Sequence, residues 1–324
     1  MFNKKGFKLN TMNRFNKYSG ALLALALTLG LTGLIIASPD VHAAGQPTVN
    51  LQTAAPFAIL AGTPSISNTG PSVITGNVGL NPMAGSGITG LLCSQVTGTI
   101  YAVDATGLPC FTVNGPLLVT AKSDLTTAYT DAANRTPVTT VPTELGGTTK
   151  FAGVYASGAT TFDITAGAGP LVLDGQGDSS AVFIFESSAV SPGLTVGAGS
   201  TVSLINGAQA CNVFWRVVSA DINTTAVFKG TILAQTSITV ANGANIEGRL
   251  LAQDGLVSLI NDTITVPTCT AVTGGGASST TTAPKFPNAG LAPRHKTTPW
   301  NLIVVASVSS AAVLIGAARR KKLI

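Results

Sequence analysis

Histidine is nearly missing from this sequence: its 324 residues contain two, His42 and His295, and neither falls between Ala44 and Thr270. That absence removes Ser/His/Asp and Cys/His nucleophile arrangements, and His-ligated metals, from the middle of the chain. Charge is scarce too, at 10% of residues, and aromatics make up 6%. A formal charge of +5 invites a polyanionic partner until the charges are placed by segment. Lys4, Lys5, Lys8, Arg14 and Lys17 precede the first apolar run, and Lys285, Arg294, Lys296, Arg319, Arg320, Lys321 and Lys322 lie in the tail. Between Ala44 and Thr270, six basic residues stand against twelve acidic ones, so the middle is net negative and no nucleic-acid surface is expected there. Cysteine is limited to four residues without a CxxC spacing, which leaves no expected zinc site, redox pair or cofactor.

The two ends read as addresses. Basic residues up to Lys17, the apolar stretch Ala21–Ala37 and the small-x-small triplet Val41-His42-Ala43 form a secretory signal peptide over residues 1–43, with an uncleaved anchor as the competing reading. At the other end, Trp300–Ala318 is 19 uncharged residues, about 28 Å as a helix, followed by the basic tail 319–324. Positive residues stay cytoplasmic, which places the remainder outside, on a membrane-anchored chain. Residues 271–299 are a Gly/Ser/Thr/Pro stalk. Within it, Phe286-Pro287-Asn288-Ala289-Gly290 resembles the LPxTG-type sorting pentapeptide, with Phe for Leu and Ala for Thr. That resemblance implies a sortase partner and a cell-wall anchor.

The middle, 44–270, carries an 18-residue spacing: Ala208, Ala226 and Ala244 open comparable segments, and Ile232-Leu233-Ala234-Gln235 returns as Leu250-Leu251-Ala252-Gln253. In Thr201-Val202-Ser203-Leu204, Ser237-Ile238-Thr239-Val240 and Val257-Ser258-Leu259, apolar and hydroxyl residues alternate, as strands with one buried face do. Short β-type runs with Gly/Asn punctuation predict a discontinuous β-solenoid, mainly β, whose coils bury their apolar residues by stacking. One segment differs. Over 116–134, Leu118, Ala121, Leu125, Ala128, Tyr129 and Ala132 form a helical stripe suited to covering an open side of the solenoid. Four cysteines allow three pairings. Cys93 and Cys110 close a short loop; Cys211, inside a strand-like run, reads either as a half-cystine or as a buried free thiol that leaves Cys269 unpaired.

Phe57-Ala58-Ile59-Leu60-Ala61-Gly62, Ile74-Thr75-Gly76-Asn77-Val78-Gly79, Gly153-Val154-Tyr155, Ala181-Val182-Phe183-Ile184-Phe185 and, most specifically, Ile205-Asn206-Gly207-Ala208-Gln209-Ala210-Cys211-Asn212-Val213-Phe214-Trp215 resemble the microbial ice-binding protein family over Val49–Val266. The resemblance implies a right-handed discontinuous β-solenoid with a long helix packed alongside, binding the ice crystal surface through a flat face, without enzymatic activity. Ice offers no charge to pair with, so its receptor should be flat, rigid and mildly polar. Lys229 and Glu247, 18 residues apart, with Arg249 pointing the same way, mark a charged face unsuited to that task. The opposing choice is a face carrying Thr201, Ser203, Asn223, Ser237, Thr239, Ser258, Thr263 and Thr265, extended by Ser65, Ser67 and Thr75. Exposed Ser and Thr also suit a plain β-sheet surface.

Two other classes fit parts of the sequence. A surface adhesin or envelope module would use the same anchor and stalk without touching ice; on either reading the body is expected to be monomeric. A polysaccharide-cleaving β-helix needs positioned carboxylates, and Asp174 and Asp178 in Leu-Asp-Gly-Gln-Gly-Asp read as a turn.

Overall fold

The alternating runs become strands, one for each side of a three-sided coil. A computed structural model describes residues 45–187 and 192–270. The leader 1–43, the stalk with Phe286–Gly290, the span 300–318 and the tail lie outside the described residues. Among the described residues, no helix is long and apolar enough to cross a membrane.

Each side of the coil stacks into a parallel sheet, and we call the three sides faces A, B and C in the order the chain visits them. Face A runs from Phe111–Val113 through Ile100–Ala102, Asn77–Leu80 and Phe57–Ala61, then through the second halves of Asn245–Ala252 and Val227–Ala234. It ends with Val213–Val217, Phe183–Glu186, Gly153–Ser157 and Val138–Val141. Face B stacks Phe162–Ile164, Leu194–Val196, Ala220–Ile222, Ile238–Val240, Val257–Ile260, Ile66–Thr69 and Ile88–Thr89. Face C takes the first halves of Val227–Ala234 and Asn245–Ala252, with Thr263–Thr265, Val73–Thr75 and Val96–Thr97 on one side of them. On the other side a bridge from Val227 to Thr201 leads to Val202–Ile205, Leu171–Asp174 and Thr149–Lys150. The inward residues form one core, with Trp215, Phe162, Phe183, Phe185 and Phe228 fully buried.

The winding is discontinuous. The chain starts in mid-stack at Phe57–Ala61 and builds outward to Phe111–Val113. The helix α1 (Gly115–Ala133) leads it away, and winding resumes at Val138–Val141, the opposite end of face A. It then coils back until Asn245–Ala252 pairs with Phe57–Ala61 and closes the stack. Asn114 starts α1, its side chain accepting from Leu117 N, with Pro116 in the first turn. The six apolar positions of the stripe are all buried, against the outward Leu60, Val154, Ile184, Phe214, Leu233 and Leu251 of face A. Face A strands are therefore apolar on both sides. Full burial of one such Leu is worth roughly 1.5–3 kcal/mol, so α1 is held by packing more than by its propensity.

The corners decide where alternation leads. At Gly230 (φ +111°) the chain turns from face C to face A, and a Cβ on Gly248, one coil along, would lie 1.9 Å from Gly230 O. That bend carries Thr231 and Arg249 off the charged face on which simple alternation places them. Both are buried: Arg249 is 8% exposed, its Nε donates to Ala55 O (2.7 Å) and its Nη1 to Thr231 Oγ1 (3.3 Å). Burial pushes its guanidinium down to about 10. The 18-residue spacing holds from Val227 to Asn245 to Thr263 but does not reach Ala208, since the partner of Val227 is Thr201. Cys93 and Cys110 are bonded, and so are Cys211 and Cys269, so Cys211 is not a free thiol. The turn after Val202–Ile205 brings Cys211 to the end of the body, a pairing 58 residues apart that no local pattern signals.

Candidate functional site

Flatness comes from the backbone. Neighbouring strands in a parallel stack are about 4.8 Å apart, so the one outward side chain at the middle of each face B strand repeats at that spacing. The strand register puts Thr89, Ser67, Ser258, Thr239, Asp221, Thr195 and Asp163 in one row, about 29 Å long. Their inward neighbours Ile66, Val257, Ile238, Ala220, Leu194 and Phe162 are fully buried, which holds the row down on the core. Thr239 and Thr89 are exposed; Ser67 and Ser258 are half-buried. Among the described residues, the hydroxyls of Ser67, Ser258 and Thr239 have no protein partner, so they are free to hold water.

The row has two halves. Thr89, Ser67, Ser258 and Thr239 are four successive uncharged rungs, whereas Asp221 and Asp163 frame Thr195 in the rest. Burial and the nearby Glu144 push the Asp163 carboxyl up, partly offset by a hydrogen bond from Thr195. Glu144 itself closes that end, accepting from Thr165 Oγ1 (2.7 Å) and Gly146 N (2.6 Å).

The eight sequence-selected residues do not share one face. Thr239 and Ser258 are adjacent in the face B row. Ser237 stands at the edge of that face with its Oγ accepting from Leu256 N (3.3 Å), and Asn223 turns its Nδ2 to Val196 O (3.0 Å); both serve the corners. Thr201, Ser203, Thr263 and Thr265 belong to face C, together with Lys229 and Glu247. The Lys229–Glu247 ion pair, 2.8 Å between Nζ and Oε2, occupies the middle of that face, with Thr265 opposite Glu247 and Thr75 opposite Thr265. Val73 (53% exposed) and Ile205 (41%) project beside it. Of the extension residues, Ser65 and Ser67 adjoin or join face B and Thr75 joins face C. The sequence reading missed Thr89 and Thr195. Thr195 had a signal in Leu194-Thr195-Val196, but the strand Ile88–Thr89 is too short to show alternation.

Asp174 and Asp178 are turn residues: Asp174 Oδ1 accepts from Gln176 N and Asn206 Nδ2, and Asp178 Oδ1 from Ser180 N and Oγ. Among the described residues, no His/Cys/Asp/Glu group has the makings of a metal site.

Residues 59–265 match the model of a protein family described as Ice-binding-like. An ice-binding protein of Colwellia sp is 39% identical over 235 residues, spanning 71% of this chain and 88% of that protein. An ice-binding protein of Flavobacterium frigoris (strain PS1) is 38% identical over 223 residues, spanning 68% and 76%. Among solved structures, the matched domain of ice-binding protein 1 from Shewanella frigidimarina superposes with a TM-score of 0.60 at 31% identity, covering 69% of this chain and 99% of that one. An ice-binding protein from an Antarctic biological consortium does so at 0.59 and 36% identity, covering 69% and 93%.

Proposed function

The chain belongs to the ice-binding-like family, and on that premise we propose that it adsorbs to ice through face B while held outside the cell by its C-terminal segment. The observation that carries the choice of face is the run Thr89, Ser67, Ser258 and Thr239: four consecutive rungs without a charge, on a sheet pinned by buried neighbours. Ice binds no single group strongly, so affinity must be summed over many weak contacts made at once. A rigid row makes those contacts without ordering each side chain separately, which is the cost that weakens flexible receptors. Threonine adds a methyl that excludes disordered water beside a hydroxyl that fits into an ordered layer. A carboxylate or ammonium instead orients its own hydration shell, in competition with the lattice. Adsorbed molecules then force the ice front to curve between them, which lowers the local freezing point.

The export half of the proposal is supported by two disulfides, which suit an oxidising compartment, and by the order of leader, body, stalk, sorting-like motif, apolar run and basic tail. The test has two arms. The purified chain should show thermal hysteresis and inhibit ice recrystallisation; inert protein would reject the ice reading. Protease added to intact cells should digest the body, and deletion of Trp300–Ile324 should release it to the medium; cytoplasmic retention would reject the anchoring.

A further inference from the structure

The chain leaves the described body at one fixed place. Beyond the face C strand Thr263–Thr265, Cys269 is bonded to Cys211, with Cα atoms 5.6 Å apart. One residue on, the Gln209 carboxamide grips Thr270: its Oε1 accepts from Thr270 N (2.7 Å) and Thr270 Oγ1 (3.1 Å), and its Nε2 donates to Thr270 O (2.9 Å). The same Nε2 donates to Ser179 O (2.8 Å), which ties the grip to the neighbouring coil. Gln209 and Cys211 sit in the turn between Val202–Ile205 of face C and Val213–Val217 of face A, so the exit lies on the C/A edge. In a three-sided stack that edge is the one opposite face B.

The strand on the receiving side is well placed to take a load. Val213–Val217 is bonded on both flanks, to Phe183–Glu186 and to Val227–Ala234. Its Trp215 stacks on Phe185 at 4.1 Å between ring centroids, and Phe214 packs in the cluster beneath α1. Without the disulfide, tension applied beyond Thr270 would meet only the Gln209 grip, then Val266 and the three-residue strand Thr263–Thr265, whose hydrogen bonds would break one after another as the segment peeled. The disulfide instead closes residues 211–269 into a covalent ring. The strands bearing Asp221, Thr239 and Ser258 lie within that ring, on its face B side.

We propose that the Cys211–Cys269 bond and the Gln209 grip form a tension anchor, which passes a pull from the C-terminal side into the interior face A strand Val213–Val217 and keeps face B intact. The proposal rests on face B being the ice surface for its biological use, but its mechanical content can be tested without ice. The full chain is held in an optical trap by one handle at Ser67, introduced as a reactive non-natural side chain, and another after Ile324. It is compared with the Cys211→Ser/Cys269→Ser chain and with Gln209→Ala.

The double variant is expected to yield early, at low force, with an extra extension of about 200 Å as the 58-residue separation pulls straight. The intact chain should lack that event and first yield at higher force, and Gln209→Ala should show only a small loosening before the disulfide takes the load. The same first-yield force and extension in the intact and double-variant chains would overturn the anchor. So would a double variant that has lost its native circular dichroism in the absence of load, since the bond would then be a folding staple. Expected traces from a chain that does not shape ice would uphold the anchor and reject the face B reading.

Discussion

Faces B and C are made by the same coils, from strands of the same parallel type, and both carry rows of Ser and Thr. They differ in what interrupts the row. On face B the middle rungs are Ser258 and Thr239, and charge begins only at Asp221. On face C the middle rungs are Lys229 and Glu247, paired at 2.8 Å, with Val73 and Ile205 standing proud. Composition alone would rank the faces equal. A planar lattice responds to the longest uninterrupted patch, so neighbours one rung away matter more than the total of hydroxyls.

The largest effect expected from breaking this comparison lies on neither open face. Thr231 looks like a surface residue two places from Lys229, yet it is fully buried beneath Arg249. Thr231→Arg puts a second cation into a buried site without an acidic partner and should cost about 3–5 kcal/mol, read as a large fall in Tm. A Tm within a few degrees of the parent would show that Thr231 faces solvent and that the chain does not bend inward at Gly230.

Thr239→Arg against Thr265→Arg is the matched test of the faces. Each should change stability by no more than about 0.5 kcal/mol. Thr239→Arg should lower ice affinity at least about tenfold, equivalent to about 1.4 kcal/mol, because one protrusion lifts its neighbours off the lattice, and Thr265→Arg should leave thermal hysteresis unchanged. Loss only at Thr265 would exchange the roles of the faces.

A gain is expected from Asp221→Thr, which extends the uncharged run of face B from four rungs to six by joining Thr195 to it. Thermal hysteresis should rise above that of the parent at equal concentration. A fall would mean that the acidic half already contributes to binding.

The B/C corner supplies a pH test. Asp262 is 1% exposed, and burial pushes its carboxyl up to about 6 although Ile260 N (2.7 Å) and Ala244 N (2.9 Å) donate to it. An unfolded aspartate titrates near 4, so in the window from about 4 to about 6 the folded state holds the extra proton. This group's contribution to stability is therefore fully present below about 4 and is lost as pH rises to about 6. In Asp262→Asn, denaturant midpoints should no longer carry that fall; an unchanged pH slope would assign the titration to another group.

The smallest effect belongs to the ion pair that defines face C. Its side chains are 24% and 44% exposed, so replacing both, as Lys229→Met/Glu247→Met, should cost less than about 1 kcal/mol and leave ice activity as it was. A rise in ice binding would show that this charge is what had silenced face C.

Much of the fold was legible in advance because strand alternation and the helical stripe are local. Every position of the stripe from Leu118 to Ala132 is buried, and Ile238-Thr239-Val240 and Val257-Ser258-Leu259 point as their pattern requires. The candidate site was only half legible. Thr201 and Thr263 share the in–out rhythm of Thr239, but rhythm says which side of a strand a residue takes and not which of three faces that strand belongs to.

By itself the sequence determined the parallel coil, the covering helix, the negative and histidine-free body and the outward direction of Thr239 and Ser258 on their strands, since each follows from composition or from contacts between near neighbours. Tertiary structure alone decided that Arg249 turns inward, that Cys211 meets Cys269, that the first and last coils join between Phe57–Ala61 and Asn245–Ala252, and that Ser67 and Thr89 continue the row of Thr239 and Ser258. Those outcomes depend on corner angles and on pairings across nearly 200 residues. Coils of unequal length accumulate such offsets in register, and only closure of the stack resolves them.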